Sequence, residues 1–389
     1  MIRCTQCNQV SHIKKAGIVR QKQRYYCSQC QLYFNLDQQP ESAVKKTIYT
    51  IKDIARELRF STSTVSKALN NHIDISPEKK ALIEAKAKEL DYQPNKLARS
   101  LKQNRSGVIG LIVPEFTQSF YPRMIFEINK RLSEAGYTAM ITQADNRYAN
   151  EVTNIHSLLA SRVEGIIASV TFETTDFCHL QKIIDRQIPL VLFSRYPSQL
   201  SCPKIKVDDF EGAYTVVQHL IRQGYKKIGH IGGPNHISVS SDRYKGYRQA
   251  LADSGLHTSS SWIVQAPDVI EKATLYAHKL LSQPIRPDAI FAFNDPVAIA
   301  VVQEAKKLAI SIPGQLGLAG FSDDPVSNYI TPSITTMRQP IEAIATAIVD
   351  NLKRLLLNGY LPENTREQLL QATLVQRESS QRMISQLSL

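Results

Sequence analysis

Residues 50–70, TIKDIARELRFSTSTVSKALN, constrain this chain more than any other stretch. Ile51, Ile54, Ala55 and Leu58 recur at helical spacing, Arg59-Phe60-Ser61 breaks the pattern, and Val65, Ala68 and Leu69 share one face of a second run. That spacing predicts two short amphipathic helices joined by a tight turn, a helix-turn-helix. The outer face of the second helix carries Thr62, Ser63, Thr64, Ser66 and Lys67. Small hydroxyls and one long cation, with no acid among them, suit base edges and phosphates in a major groove. The competing reading is a pair of core helices in an all-α domain. An ordinary surface helix would carry more Glu–Lys pairs.

The charge balance favours the first reading. Residues 1–105 hold 20 Lys/Arg against 9 Asp/Glu, whereas residues 106–389 hold 27 against 26. Nearly all of the net +12 therefore sits on the first quarter, a polyanion-binding head on an almost neutral body. The polar start, MIRCTQCNQV, offers no apolar run for a signal peptide, and no stretch reaches membrane-spanning length. A cytoplasmic protein without a membrane partner is expected, and its six cysteines should be metal ligands or free thiols.

Cys4-x2-Cys7 and Cys27-x2-Cys30 are separated by 19 residues. Two such knuckles can set four thiolates tetrahedrally around one structural Zn²⁺, and a segment this short needs the metal to fold. Residues 1–35 are thus read as a zinc ribbon, with a redox dithiol pair and a purely structural zinc knob as the rivals. The ribbon resembles those at the start of insertion-sequence transposases. Residues 36–47 are polar, aperiodic linker.

The headpiece, residues 48–92, continues into a third helix. Ser76-Pro77-Glu78 is a helix start, and Leu82, Ile83, Ala87 and Leu90 form its predicted buried face. Residues 93–106 then hold Pro94-Asn95-Lys96-Leu97-Ala98-Arg99-Ser100-Leu101, too short for a stable isolated helix. With T-I-x-D-I-A, S-x-x-T-V-S-x-x-L-N and L-x-Y-x-P-N-x-x-A-R-S-L in place, the chain from about Thr50 to Glu378 resembles the LacI family of bacterial transcription regulators. The resemblance implies that Thr62, Ser63 and Lys67 read bases and that Ser61, Thr64 and Ser66 lie nearer phosphates. It makes the segment after Pro94 a hinge helix in which Asn95, Ala98 and Leu101 meet DNA. Leu101 would wedge into a central minor-groove step, where wider contact offsets the cost of kinking. Arg59 stands where many members have Gly; in a left-handed conformation it would cost about 1 kcal/mol.

From Gly107 the pattern alternates apolar strands with amphipathic helices: Val108-IGLIV, Tyr137-TAMIT, Gly165-IIASV, Pro189-LVLFS, Lys227-IGHIG, Ala289-IFAFN and Leu316-GLAGFS. Parallel sheets covered by helices follow. The expected fold is therefore α/β, and the resemblance implies two such lobes, a periplasmic-binding-protein-like body over residues 107–378. Ahead of it come the all-α headpiece and the small ribbon; residues 379–389 are read as a polar tail.

The resemblance puts an effector in the cleft between the lobes, at the carboxyl ends of the strands. Asp295 and Arg243 would grip its polar groups, Phe120 and Tyr121 would wall the pocket, and Glu115 would lie at its rim. Ser194 falls where members commonly place an aspartate. With Arg195 beside it the pocket should gain positive character, pointing to a sugar acid or phosphate as well as a sugar. Arg243 and Asp295 could alternatively form an interlobe ion pair without a ligand.

No catalytic constellation is visible: there is no G-x-S-x-G elbow, no H-E-x-x-H pair and no P-loop. The chain reads as a non-enzymatic, ligand-responsive repressor. Two copies, as a homodimer or a dimer of dimers, would hold a near-palindromic double-stranded operator. The rivals are a transport-type binding protein, which would have no use for the basic head, and a mobile-element protein whose ribbon is the main DNA reader.

Overall fold

The structure, a computed structural model, describes residues 2–4, 6–7, 9–19, 22–35, 49–92, 105–197, 199–359 and 367–382. It divides into two compact units, residues 1–95 and 96–389. The predicted linker 36–47 and the hinge positions Asn95, Ala98 and Leu101 lie outside the described residues.

The ribbon is a three-stranded antiparallel meander, β1 (Ile13–Val19), β2 (Lys22–Cys27) and β3 (Leu32–Asn35). Its small core is Cys4, Tyr25, Cys27 and Phe34.

The headpiece has three helices, α1 (Ile51–Leu58), α2 (Thr62–Leu69) and α3 (Pro77–Glu89). Asp53 accepts hydrogen bonds from the Thr50 backbone N–H (2.9 Å) and hydroxyl (2.7 Å), fixing the start of α1. Arg59 ends α1 at φ 54°, ψ 34°, the left-handed conformation that its glycine-like position required. Ile54, Ala55, Val65, Ala68, Ile83 and Ala87 are buried together. Leu82, read as part of that face, is half exposed instead; the core is filled by Ile83 one position on.

The body holds two parallel sheets, each sandwiched by helices. One lobe is a six-stranded sheet in the order β14-β8-β7-β6-β4-β5. Its strands are β4 (Val108–Val113), β5 (Thr138–Gln143), β6 (Gly165–Ala168), β7 (Leu190–Phe193), β8 (Lys204–Val207) and β14 (Glu367–Leu370). The other is β10-β9-β11-β12, built from β9 (Ile228–Gly232), β10 (Ile263–Gln265), β11 (Ala289–Ala292) and β12 (Gly317–Ala319).

Helices α4 (Phe120–Glu134), α5 (Tyr148–Ala160), α6 (Cys178–Asp185) and α11 (Ile341–Asn358) cover the first sheet. Helices α7 (Asp209–Arg222), α8 (Ser238–Asp253), α9 (Ala273–Leu281) and α10 (Asp295–Lys307) cover the second. The chain crosses between lobes after β8, between β13 (Thr336–Arg338) and α11, and between β14 and β15 (Thr373–Val375). Apolar strands of four to six residues buried on both faces are what a doubly covered parallel sheet demands.

The body does not stop at residue 378. Ser379 and Ser380 are fully buried. Ser379 donates to the Leu318 carbonyl (2.7 Å) and accepts from the Thr335 N–H (2.9 Å), while the Ser380 hydroxyl meets His219 Nε2 at 2.7 Å. Their hydroxyls are satisfied locally, so a polar sequence here is interior, and the expectation of a tail beginning at 379 is corrected. Among the described residues no helix is long and apolar enough to cross a membrane.

Candidate functional site

The four ribbon sulfurs lie within 4.8 Å of one another. Cys4 and Cys30 are 3.9 Å apart and Cys7 and Cys27 3.8 Å. An ion about 2.3 Å from each of four tetrahedral sulfurs sets them about 3.8 Å apart, so the donor set fits Zn²⁺. Backbone N–H groups of Cys7 and Gln6 bring the Cys4 thiol down to about 6, while hydrogen bonding with the Cys7 sulfur and burial push Cys30 up to about 12.

On α2 the hydroxyls divide into two kinds. Ser61 is the helix cap, accepting from the Thr64 N–H (3.0 Å) and sharing a hydrogen bond with its hydroxyl (2.9 Å). Thr62, Ser63 and Lys67 are exposed or nearly so, and Thr64 and Ser66 are half-buried. The Lys67 ammonium rests 3.0 Å from Asp74.

In the body, the carboxyl ends of β4, β6 and β7 face those of β9, β11 and β12 across the interlobe cleft, and most of the predicted effector residues gather there. Arg195, at the end of β7, is buried; its Nη1 donates to Asn146 Oδ1 at 2.8 Å and its Nη2 lies 3.4 Å from Glu115 Oε1. Its guanidinium sits 3.5 Å from the Phe172 ring centroid and 5.6 Å from that of Tyr121. The Tyr121 hydroxyl meets Ser169 Oγ at 3.2 Å, and Phe120 packs edge-on against Tyr121. Ser194 is half-buried and turns the chain at φ 58°, which aims Arg195 inward.

The opposite lobe mirrors this arrangement. Arg243 is buried on α8, bonded to Asp209 at 2.7 Å and to the Phe293 carbonyl at 2.6 Å, and it lies 3.7 Å from the Phe321 ring. Phe172 and Phe293 meet between the two arginines with ring centroids 5.9 Å apart.

Three expectations are corrected here. Asp295 does not pair with Arg243, which takes Asp209 instead. Asp295 is fully buried, its oxygens accepting from the Thr336 hydroxyl (2.6 Å) and the Asp324 N–H (2.6 Å). A Cβ on Gly320 would meet its Oδ1 at 2.2 Å, so the carboxylate is packed into the strand-end loops and does not face the cleft. Nor is the cleft positively charged in excess, because each guanidinium has its own carboxylate, Glu115 or Asp209. Burial drives the Asp209 carboxyl upward against the pull of Arg243 and pushes Asp295 up to about 7.

The sequence reading missed Asn294, Gln118, Asn146, Phe172, Phe293 and Asp209. Asn294 could have been found as an N-cap: its Oδ1 accepts from the Val297 N–H (3.1 Å). Its amide then donates to Gln118 Oε1 (2.8 Å) on the other lobe, and Gln118 in turn donates to Glu115 (2.5 Å). Arg123 adds a bond to the Asp323 carbonyl (3.1 Å) and His236 one to the Phe172 carbonyl (2.8 Å). The lobes are thus latched together around the cleft.

The comparisons bear on the family and the fold. Residues 50–95 match the model of bacterial regulatory proteins of the lacI family, and residues 217–380 match that of the periplasmic binding protein-like domain. The ribose operon repressor of Halalkalibacterium halodurans is 32% identical over 292 residues, 75% of this chain and 86% of that protein. The crystal structure of the lac repressor dimer bound to operator and an anti-inducer superposes with a TM-score of 0.76 at 21% identity, covering 85% of this chain and 99% of that one. A LacI transcriptional regulator of Alkaliphilus metalliredigens complexed with D-xylulofuranose gives 0.60 at 27% identity, over 70% of this chain and 98% of that one. The mobile-element reading finds no support among them. The chain belongs to the LacI family, and it is a ligand-responsive, DNA-binding transcriptional repressor, not an enzyme.

Proposed function

We propose that the effector is an uncharged sugar or simple sugar derivative, bound between Arg195 and Arg243, and that it sets operator affinity through the hinge. The observation that carries this reading is the matched pair of buried guanidiniums, one per lobe. Each is stacked on a phenylalanine and neutralised by a carboxylate. Guanidinium donors alternate with carboxylate acceptors, and apolar ring faces lie between them. That surface suits hydroxyls on a carbon ring, whereas an anion would have to displace Glu115 or Asp209. The D-xylulofuranose held by the Alkaliphilus regulator is a neutral sugar and supports the same class.

Thr62, Ser63 and Lys67 would read the major groove, with Ser61, Thr64 and Ser66 towards phosphates and Asn95, Ala98 and Leu101 in the minor groove. Two copies would bind the halves of a near-palindrome. Exposed Phe126, Met140, Ile141, Val326 and Tyr329, with the unpaired edge strand β5, are the apolar positions that a dimer contact would draw on. The ribbon would hold one structural Zn²⁺ through Cys4, Cys7, Cys27 and Cys30, and the protein would work in the cytoplasm.

A thermal-shift screen of the purified chain against neutral sugars, uronates, sugar phosphates and nucleobases tests the class. Neutral sugars should shift unfolding and change operator affinity. Responses confined to sugar phosphates or uronates would refute the neutral cleft.

A further inference from the structure

The ribbon presents a face that neither the metal nor the ribbon's own core uses. Cross-strand register puts Lys14 beside Tyr26 and Tyr26 beside Tyr33, one row across all three strands. Arg24, two residues before Tyr26 on β2, shares that face. The opposite face carries buried Tyr25, Cys27 and Phe34. On the outer side Tyr26 and Tyr33 pack at a tilt with centroids 4.6 Å apart, and the Arg24 guanidinium lies 4.6 Å from the Tyr33 ring. Tyr33 is 50% exposed and Lys14 is exposed.

Charge identifies what this face meets. Residues 1–36 contain Arg3, Lys14, Lys15, Arg20, Lys22 and Arg24, and not one Asp or Glu. Four thiolates on a divalent ion would still leave the segment at +4. A surface for an ordinary protein partner would mix signs, and a solubilising knob would not pack its aromatics under an arginine. Cations with tyrosine hydroxyls are the donors that phosphate oxygens accept from.

We propose that this outer face grips the phosphate backbone of duplex DNA flanking the operator half-site, so that each subunit has a second, sequence-independent DNA contact. The inference rests on the headpiece being the operator reader, since that fixes which polyanion lies nearby. Reach permits it: residues 36–49 can span at most about 49 Å at about 3.5 Å per residue, more than one turn of duplex at about 34 Å.

The test uses the full chain loaded with Zn²⁺ and an operator selected by the wild-type protein from random duplexes. Binding is measured against salt on a minimal duplex of about 20 base pairs and on the same sequence with about 15 base pairs added at each end. The wild-type chain should bind the flanked duplex about 10-fold more tightly. Its salt slope should be steeper by about two per subunit, one phosphate contact each for Lys14 and Arg24. Lys14→Glu with Arg24→Glu should erase both differences and leave the minimal duplex bound as before, with one zinc per chain showing that the ribbon is intact. Equal wild-type affinity for the two duplexes overturns the proposal, as would follow if the face served a protein or a single strand. A flank effect that survives the double substitution overturns it too. Failure to bind either duplex would indict the headpiece reading instead.

Discussion

The Arg195 guanidinium lies 3.5 Å from the centroid of the Phe172 ring, close enough for each to fix the other's orientation. Phe172 leaves the end of the β6 strand of one lobe yet packs among Ile231, Val239 and Phe293 of the other. Arg195 is therefore held by a side chain whose own place depends on the lobes being together. A ligand that engages Arg195 thereby acts on the closure that Phe172 reports.

Arg195→Lys keeps the charge and removes the plane and the fork. The substituted ammonium cannot serve Asn146 and Glu115 together while covering Phe172. Effector affinity by calorimetry should fall about 10- to 100-fold, with operator affinity in the absence of effector within about 2-fold of wild type. An unchanged effector affinity would remove Arg195 from the site.

Asn294 does two jobs through two atoms. Its carbonyl oxygen caps α10 and its amide reaches Gln118 across the cleft. Asn294→Asp preserves the cap acceptor and deletes the donor to Gln118, and it brings a second carboxylate towards Glu115. Thermal stability should fall by about 1 to 3 kcal/mol, because the new carboxylate is buried and one hydrogen bond is lost. The effector concentration giving half-maximal response should rise about 5- to 20-fold, read by operator anisotropy. A response curve that does not move would show the latch to be incidental.

Asp295 gives a pH signature. Burial raises its folded-state value from 3.8 to about 7, opposed by the Thr336 hydroxyl and the Asp324 N–H. Below about pH 4 the carboxyl is protonated in both folded and unfolded chains and carries no penalty. As pH rises towards 7 the unfolded chain ionises first, so stability is progressively lost, by up to about 4 kcal/mol at the linkage limit. Urea unfolding of wild type and Asp295→Asn at several pH values isolates this group. The variant should gain on the wild type between about pH 4 and 7 and hold a constant difference above that. A difference independent of pH would mean that Asp295 is already ionised when folded.

The headpiece and the apolar strands were legible because their signals are local. Ile54, Ala55, Val65 and Ala68 declare their faces by spacing, and strands such as Ala289–Ala292 declare theirs by uninterrupted apolar runs. Strand β8, reading Lys-Ile-Lys-Val, passed unnoticed because its lysine stems are buried along the sheet while Lys204 satisfies its ammonium on the Leu200 carbonyl. At the site, residue types were found more readily than partners. Arg195 and Arg243 stood out, but that Arg243 would choose Asp209 depends on where the chain crosses between lobes, which no local pattern encodes. Asp295 misled for a related reason. It sits one position after the residue that faces the cleft, and at a helix start one position turns a side chain from the opening into the body.

The recognition helix supplies the last expectation. In the DNA-free chain Lys67 is neutralised by Asp74 at 3.0 Å, with His72 at 3.2 Å from the same carboxylate. All three side chains are about half exposed, so solvent screens the pairing and it gives way readily to a base edge or phosphate. It still matters for DNA, because the carboxylate remains beside the groove as a repulsive charge after Lys67 has left it. Asp74→Asn should strengthen operator binding about 3- to 10-fold and steepen its salt dependence slightly. Lys67→Ala should weaken binding about 10- to 100-fold and relax discrimination at one base pair of each half-site. If the two substitutions shift all duplexes equally, operator and random alike, then Lys67 contacts only backbone and sequence is read by Thr62 and Ser63.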